Sequence, residues 1–100
     1  MIKKKSRIFI AGHNGLVGSS VLGLLKKKNY SNLIIENKRN LDLRNYHNVD
    51  KFFKKKKIEF LIICAARVGG IMANSKYPTE FLLENLQIQN NLLTCLHYDN

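Results

Sequence analysis

The fold of this chain is decided by the stretch Ile8-Phe9-Ile10-Ala11-Gly12-His13-Asn14-Gly15-Leu16-Val17-Gly18, in which an apolar strand runs into three glycines. The glycines recur at every third position, and a helical pattern follows them. A glycine turn lets a ligand approach the backbone without interference from Cβ atoms. The first turn of the next helix directs unpaired N–H groups and a partial positive charge to the same place. This arrangement predicts a binding site for a pyrophosphate.

Strand and helix patterns alternate along the chain, which is typical of a parallel sheet covered by helices. The expected strands are Arg7–Ala11, Leu33–Glu36 and Phe60–Ala65, and the expected helices are Leu16–Lys28, a short one around Val49, Phe52 and Phe53, and one from about Glu80. The first helix should turn four apolar side chains inward: Val17, Val21, Leu24 and Leu25. Right-handed crossovers predict the strand order 3-2-1, the N-terminal half of a doubly wound Rossmann sheet.

Half of such a sheet leaves one edge of the first strand without a neighbour, because the complete fold pairs a fourth strand there. An exposed apolar edge of this kind favours aggregation. The sequence stops at Asn100, where that fourth strand is expected to begin. We therefore expect residues 1–100 to be an N-terminal piece of a longer protein, a truncated and partial Rossmann domain.

The chain is strongly basic, with 17 Lys and Arg against 7 Asp and Glu and a formal net charge of +10. The lysines form three blocks at element ends, which favours solvated surfaces over a nucleic-acid interface, and a basic nucleic-acid module stays as an alternative. No apolar stretch approaches the roughly 20 residues that cross a bilayer, and no signal peptide precedes the first strand. We expect a cytoplasmic protein without membrane contact or a metal site.

Glu36 ends the second predicted strand roughly 20 residues beyond the glycine turn, where dinucleotide-binding domains carry an acid for the ribose. Together with the glycines, this acid indicates nucleotide binding rather than a purely structural turn. Lys38 and Arg39 follow in the next loop and supply positive charge nearby, although a solvated loop would use the same residues.

Several motifs resemble the extended short-chain dehydrogenase/reductase superfamily and, within it, the GDP-L-fucose synthase family. The resemblance begins at Arg7 and is carried by the glycine turn, by Leu41-Asp42-Leu43 and by a loop that is its most discriminating part, Ala65-Ala66-Arg67-Val68-Gly69-Gly70-Ile71 with Ala73-Asn74 and Tyr77-Pro78. It implies an NADP-dependent epimerase-reductase that converts GDP-4-keto-6-deoxy-D-mannose to GDP-L-fucose, as a homodimer when complete.

The resemblance also implies roles for individual residues. Gly12, His13, Asn14, Gly15, Leu16, Val17 and Gly18 would surround the coenzyme pyrophosphate; Asp42 and Leu43 would form the adenine pocket; Ala65 and Ala66 would lie beneath the nicotinamide ribose; and Val68, Gly69, Gly70 and Ile71 would lie on the substrate side. Members of the family often have basic residues where this chain has Asn14 and Glu36, to bind the 2′-phosphate of NADP. An acid favours the free diol of NAD, so we expect NADP on the resemblance, with Glu36 arguing for NAD.

No catalytic residue is assigned. In this superfamily a Ser or Thr and a Tyr-x-x-x-Lys pair support hydride transfer, and no tyrosine of this chain has a lysine four positions later. We expect the chain alone to be inactive. The alternatives are another NAD-dependent sugar-nucleotide epimerase or dehydratase, and a non-catalytic dinucleotide-binding module.

Overall fold

The computed structural model describes residues 2–64 and 79–99. Three strands alternate with three helices, as the sequence predicts. In chain order the elements are β1 (Ile8–Ala11), α1 (Leu16–Lys27), β2 (Leu33–Ile34), α2 (Tyr46–Lys56), β3 (Phe60–Ile63) and α3 (Thr79–Asp99). Both later strands are shorter than expected within the described residues.

The three strands form one parallel sheet in the order β2-β1-β3. The parallel α/β class is confirmed, but the predicted order 3-2-1 is wrong, and so is the expected bare edge of β1. That strand pairs on both sides, and none of its residues is more than 1% exposed.

Backbone pairing explains this order. β3 pairs with all four residues of β1, from Ile8 opposite Phe60 to Ala11 opposite Ile63, whereas β2 offers only two residues to a neighbour. A third strand placed outside β2 would leave most of its own N–H and C=O groups without ladder partners. The handedness rule fixes the hand of each crossover, but it does not determine on which side of β1 the next strand is placed.

A hydrophobic cluster lies on one face of this sheet. Alternate residues of β1, Phe9 and Ala11, join a buried cluster supplied by α2 and α3, with Val49, Phe53, Leu92 and Cys95 among its members. Side chains alternate along a strand, so Ile8 and Ile10 point to the opposite face. We place α1 on that face because it contacts β1 and contributes no residue to the cluster. The helices thus cover both faces, as a doubly wound sheet requires.

The inward face of α1 differs from the expected one. Val17 is 63% exposed and Leu24 is 54% exposed, whereas Gly18 is the buried residue of this helix. Val21 and Leu25 are half-buried and lie three and seven positions after Gly18, on the same side of the helix. The glycine sets the rotation of α1 because it is the residue that packs against the turn after β1.

Candidate coenzyme site

The turn after β1 is shaped by its first glycine. Gly12 has a φ of 88°, in the left-handed region that favours glycine. Its carbonyl oxygen accepts the N–H of Gly15 at 3.2 Å, which closes the turn, and α1 begins at the next residue. The half-buried His13 and the exposed Asn14 lie inside this turn.

Gly18 allows α1 to pack closely against the turn. A Cβ at this position would overlap the carbonyl oxygen of Gly12 and would lie 2.8 Å from its carbonyl carbon. Only a residue without a side chain allows the first turn of α1 to approach the carboxyl end of β1 this closely. Gly15 differs, because a Cβ there would meet the same oxygen at an ordinary 3.6 Å.

In the part of the chain that the structure describes, the backbone amides in the first turn of α1 have no hydrogen-bond partner. The N–H of Ser19 donates to Gly15 at 2.8 Å, so the amides of residues 16–18 precede the first hydrogen bond of the helix. Gly15 caps the helix without a side-chain hydrogen bond, and the first turn contains no acid. The positive end of the helix dipole is therefore open to an anion. Leu16, 86% exposed, and Val17 flank these amides.

Glu36 follows β2 and lies within electrostatic reach of His13 in the glycine turn. Its Oε1 accepts the side-chain amide of Asn40 and the N–H of Asn37, each at 3.1 Å. These two hydrogen bonds, that of Asn40 foremost, hold the pKa of the Glu36 carboxyl below its ordinary value. The neighbouring Lys38 is exposed.

Asp42 is engaged by Arg44. The guanidinium donates to both carboxylate oxygens, with Nη2 to Oδ2 at 2.8 Å and Nε to Oδ1 at 2.9 Å, and the Arg44 N–H donates to Oδ1 at 3.0 Å. These bonds lower the pKa of Asp42 to about 2, and the charge of Lys38 acts in the same direction. Leu43 is half-buried against the core cluster.

Helix α3 is hydrogen-bonded to the loop that carries Asp42 and Leu43. The side-chain amide of Asn91 donates to the carbonyl of Leu43 at 2.9 Å, and that of Gln87 donates to the carbonyl of Arg44 at 3.0 Å. Sequence reasoning missed Asn40, Arg44, Gln87 and Asn91. Arg44 could have been found from the sequence, because it is a cation two residues after an acid. The amide side chains could not, because an amide donates to any acceptor within reach and no sequence pattern marks its partner.

The remaining predicted site residues, Ala65, Ala66 and residues 68–71, lie outside the described residues. The last described position before them is Cys64, whose N–H donates to the carbonyl of Ala11 at 2.7 Å. β3 therefore ends beside β1 at the edge of the sheet that carries the glycine turn. Over residues 2–64 and 79–99, no helix combines the length and the hydrophobicity that a membrane span requires. The same residues contain no group of three or more metal-ligating side chains.

Comparison with known proteins identifies the family of this chain and supports the fold. The chain matches the model of the NAD dependent epimerase/dehydratase family over residues 8–100. It is 43% identical over 93 residues to the putative GDP-L-fucose synthase 2 of Arabidopsis thaliana, and 35% identical over 96 residues to the GDP-L-fucose synthase of Escherichia coli (strain K12). These matches cover 93% and 96% of this chain but 28% and 30% of the two relatives, so the chain spans less than a third of their length.

Solved structures agree with the sequence relatives. A GDP-mannoheptose C4 reductase from Campylobacter jejuni with NADP bound is 36% identical, with a TM-score of 0.89 over 100% of this chain and 32% of that one. A GDP-L-fucose synthetase from Naegleria fowleri bound to NADP is 29% identical, with a TM-score of 0.76 over 95% and 29%. The expected resemblance is confirmed, and this chain belongs to the NAD dependent epimerase/dehydratase family.

Proposed function

We propose that this chain is the coenzyme-binding part of an NADP-dependent epimerase-reductase that converts GDP-4-keto-6-deoxy-D-mannose to GDP-L-fucose. The observation that carries the proposal is the contact of Gly18 with the carbonyl of Gly12. It fixes three free helix amides at the end of the central strand, where a dinucleotide pyrophosphate binds in sheets of this class.

The described residues fit the coenzyme. The pyrophosphate would bind the amides of residues 16–18, and Lys38 would meet the 2′-phosphate. Asp42 would accept the exocyclic amine of adenine with a carboxylate already oriented by Arg44, and Leu43 would face the ring. When bound, the coenzyme supplies the hydride that reduces a keto group to an alcohol.

The proposed substrate class and the proposed coenzyme are both supported by the relatives. Their names concern GDP-linked sugars, including a GDP-L-colitose synthase of Yersinia pseudotuberculosis, which supports a GDP-sugar substrate over other sugar nucleotides. NADP is named with two of the solved neighbours, and the exposed Lys38 supports the same coenzyme here. The roles of Ala65, Ala66 and residues 68–71, the homodimer and the cytoplasmic location remain predictions.

Binding and turnover test the proposal separately. Calorimetric titration of the folded chain should detect NADPH binding that is tighter than NADH binding. A chimera in which residues 8–100 replace the matching segment of the Escherichia coli GDP-L-fucose synthase should then oxidise NADPH with GDP-4-keto-6-deoxymannose and not with GDP-mannose. A folded chimera that binds neither dinucleotide would refute the proposal, whereas binding by the chain with an inactive chimera would favour a non-catalytic module.

A further inference from the structure

The loop after β2 is folded around the carboxylate of Glu36. Besides the two bonds to Oε1, the Asn40 N–H donates to Asn37 Oδ1 at 3.0 Å, and the Leu41 N–H donates to the Asn37 carbonyl at 2.9 Å. Glu36, Asn37 and Asn40 thus form a closed set of hydrogen bonds over five residues. We call this set the Glu36 clamp.

The clamp determines how the loop presents its charges. Lys38 and Arg39 occupy the turn between the two asparagines and are both exposed. In the described part of the chain neither forms an ion pair or a hydrogen bond. The carboxylate of Glu36 accepts hydrogen bonds from Asn37 and Asn40 within the loop, while the side chains of Lys38 and Arg39 are exposed to solvent.

Packing gives this loop little support. A groove of about 250 Å³ separates it from α2, bounded by Glu36 and Asn40 on one side and by Phe52 and Lys55 on the other. Leu41 is the loop residue that reaches the core, with 4% exposure. The conformation of residues 37–40 therefore depends on the clamp, since few apolar contacts hold it.

We propose that Glu36 is a positioning residue that folds the loop so that Lys38 and Arg39 receive the 2′-phosphate of NADP, and that it is not a ligand of the ribose. This inference rests on the proposed function. It makes an acid at the end of β2, which ordinarily binds the free diol of NAD, compatible with NADP. Oε1 of Glu36 already accepts two donors from its own loop, so this oxygen has less capacity to accept hydrogen bonds from a ribose diol.

Substitution at Glu36 separates the two roles. Glu36→Ala removes both acceptor bonds, so the chain should lose NADPH affinity on the order of tenfold while its NADH affinity is unchanged. Glu36→Gln retains Oε1 as an acceptor and should restore NADPH affinity. Asn40→Ala breaks one of the two bonds and should weaken NADPH binding less than Glu36→Ala does. Glu59→Ala removes one negative charge before β3, together with the exposed bonds of Glu59 to Arg7; it controls for net charge and, as long as the variant folds, should change neither affinity.

The opposite pattern would overturn the inference. If Glu36 binds the ribose, Glu36→Ala relieves repulsion of the 2′-phosphate and removes a diol acceptor, so NADPH affinity rises and NADH affinity falls. Failure of the unsubstituted folded chain to bind either dinucleotide would instead count against the proposed function. Far-ultraviolet circular dichroism and a thermal melt of each variant identify any loss of binding that comes from unfolding.

Discussion

The side-chain amide of Asn91 donates to the carbonyl oxygen of Leu43 at 2.9 Å, which ties the middle of α3 to the loop of the predicted adenine pocket. Asn91 is 5% exposed, so its loss leaves a poorly solvated carbonyl without its donor. Asn91→Ala should lower the free energy of unfolding by about 1–3 kcal/mol. Urea denaturation measures this, with Gln87→Ala, at an exposed donor to the same loop, as a control that should stay within about 0.5 kcal/mol. Equal effects of the two variants would contradict the prediction.

The two glycines of α1 offer a matched pair of substitutions. Gly18→Ala places a Cβ on the Gly12 carbonyl, and the forced separation of helix and strand should cost about 1–3 kcal/mol. A Cβ at Gly23 would meet no atom of the described residues within 4 Å, so Gly23→Ala should stabilise the chain by about 0.5–1 kcal/mol through helix propensity. Denaturation curves of both variants test the difference in sign, and destabilisation by both would show that the contact at Gly18 is not the cause.

Gly15→Ser separates helix stability from ligand access. Gly15 occupies the N-cap with φ −75° and ψ 170°, a conformation that serine adopts, and serine is a strong N-cap. Stability should therefore be maintained or rise. The new hydroxyl competes for the amides of residues 16–18, so NADPH and NADH should both bind about tenfold more weakly. Unchanged titrations of the two dinucleotides would mean that these amides do not hold the pyrophosphate.

Acid should remove the contribution of Asp42 to stability. Its pKa of about 2 lies below the ordinary 3.8, so the ion pair with Arg44 stabilises the folded chain above pH 3.8, and this stabilisation disappears as the pH falls toward 2. The carboxylate is 35% exposed, and solvent screening limits the contribution to about 1 kcal/mol. Stability curves of the chain and of Asp42→Asn should converge on acidification through this window; a gap that widens would contradict the assignment.

Lys38 should distinguish the two coenzymes. Lys38→Met removes a cation from the clamped turn and should weaken NADPH binding about tenfold, with NADH binding unchanged because that molecule has no 2′-phosphate. Lys27→Met, at the last turn of α1, removes an equal charge on a different surface and is the control. Titrations at low and high salt add a second measurement, since screening should reduce the NADPH preference. Equal loss of both coenzymes would exclude a specific role.

The glycine turn could be predicted from sequence because its requirements are local. Gly12 adopts the positive φ that the turn requires, and Gly18 lacks the Cβ that would overlap the Gly12 carbonyl. Both requirements fall within seven residues of one strand-to-helix junction. The inward face of α1 could not be predicted from hydrophobicity. Val17 and Leu24 are larger than Gly18, but the close approach of the glycine rotates them outward.

Neither the strand order nor the Glu36 clamp could be predicted from the sequence, for different reasons. The order depends on which edge of β1 receives β3, a choice that crossover handedness does not make. The clamp depends on amide side chains of Asn37 and Asn40, in a chain whose many asparagines give no indication of which ones bond. The position of Glu36 after the second strand could be read from the sequence, whereas its hydrogen-bond partners emerged only from the structure.

The central position of β1 has a consequence for how the polypeptide folds as it is made. Ile8 pairs with Leu33 on one side and with Phe60 on the other, so β1, which leaves the ribosome before β2 and β3, has both of its neighbours only when a much later segment arrives. Arg7 and Glu59, 52 residues apart, bond at that junction. The entropy of closing so long a loop precedes the gain from burial, which makes the arrival of β3 the expected slow step and leaves nascent β1 exposed to misassembly until then.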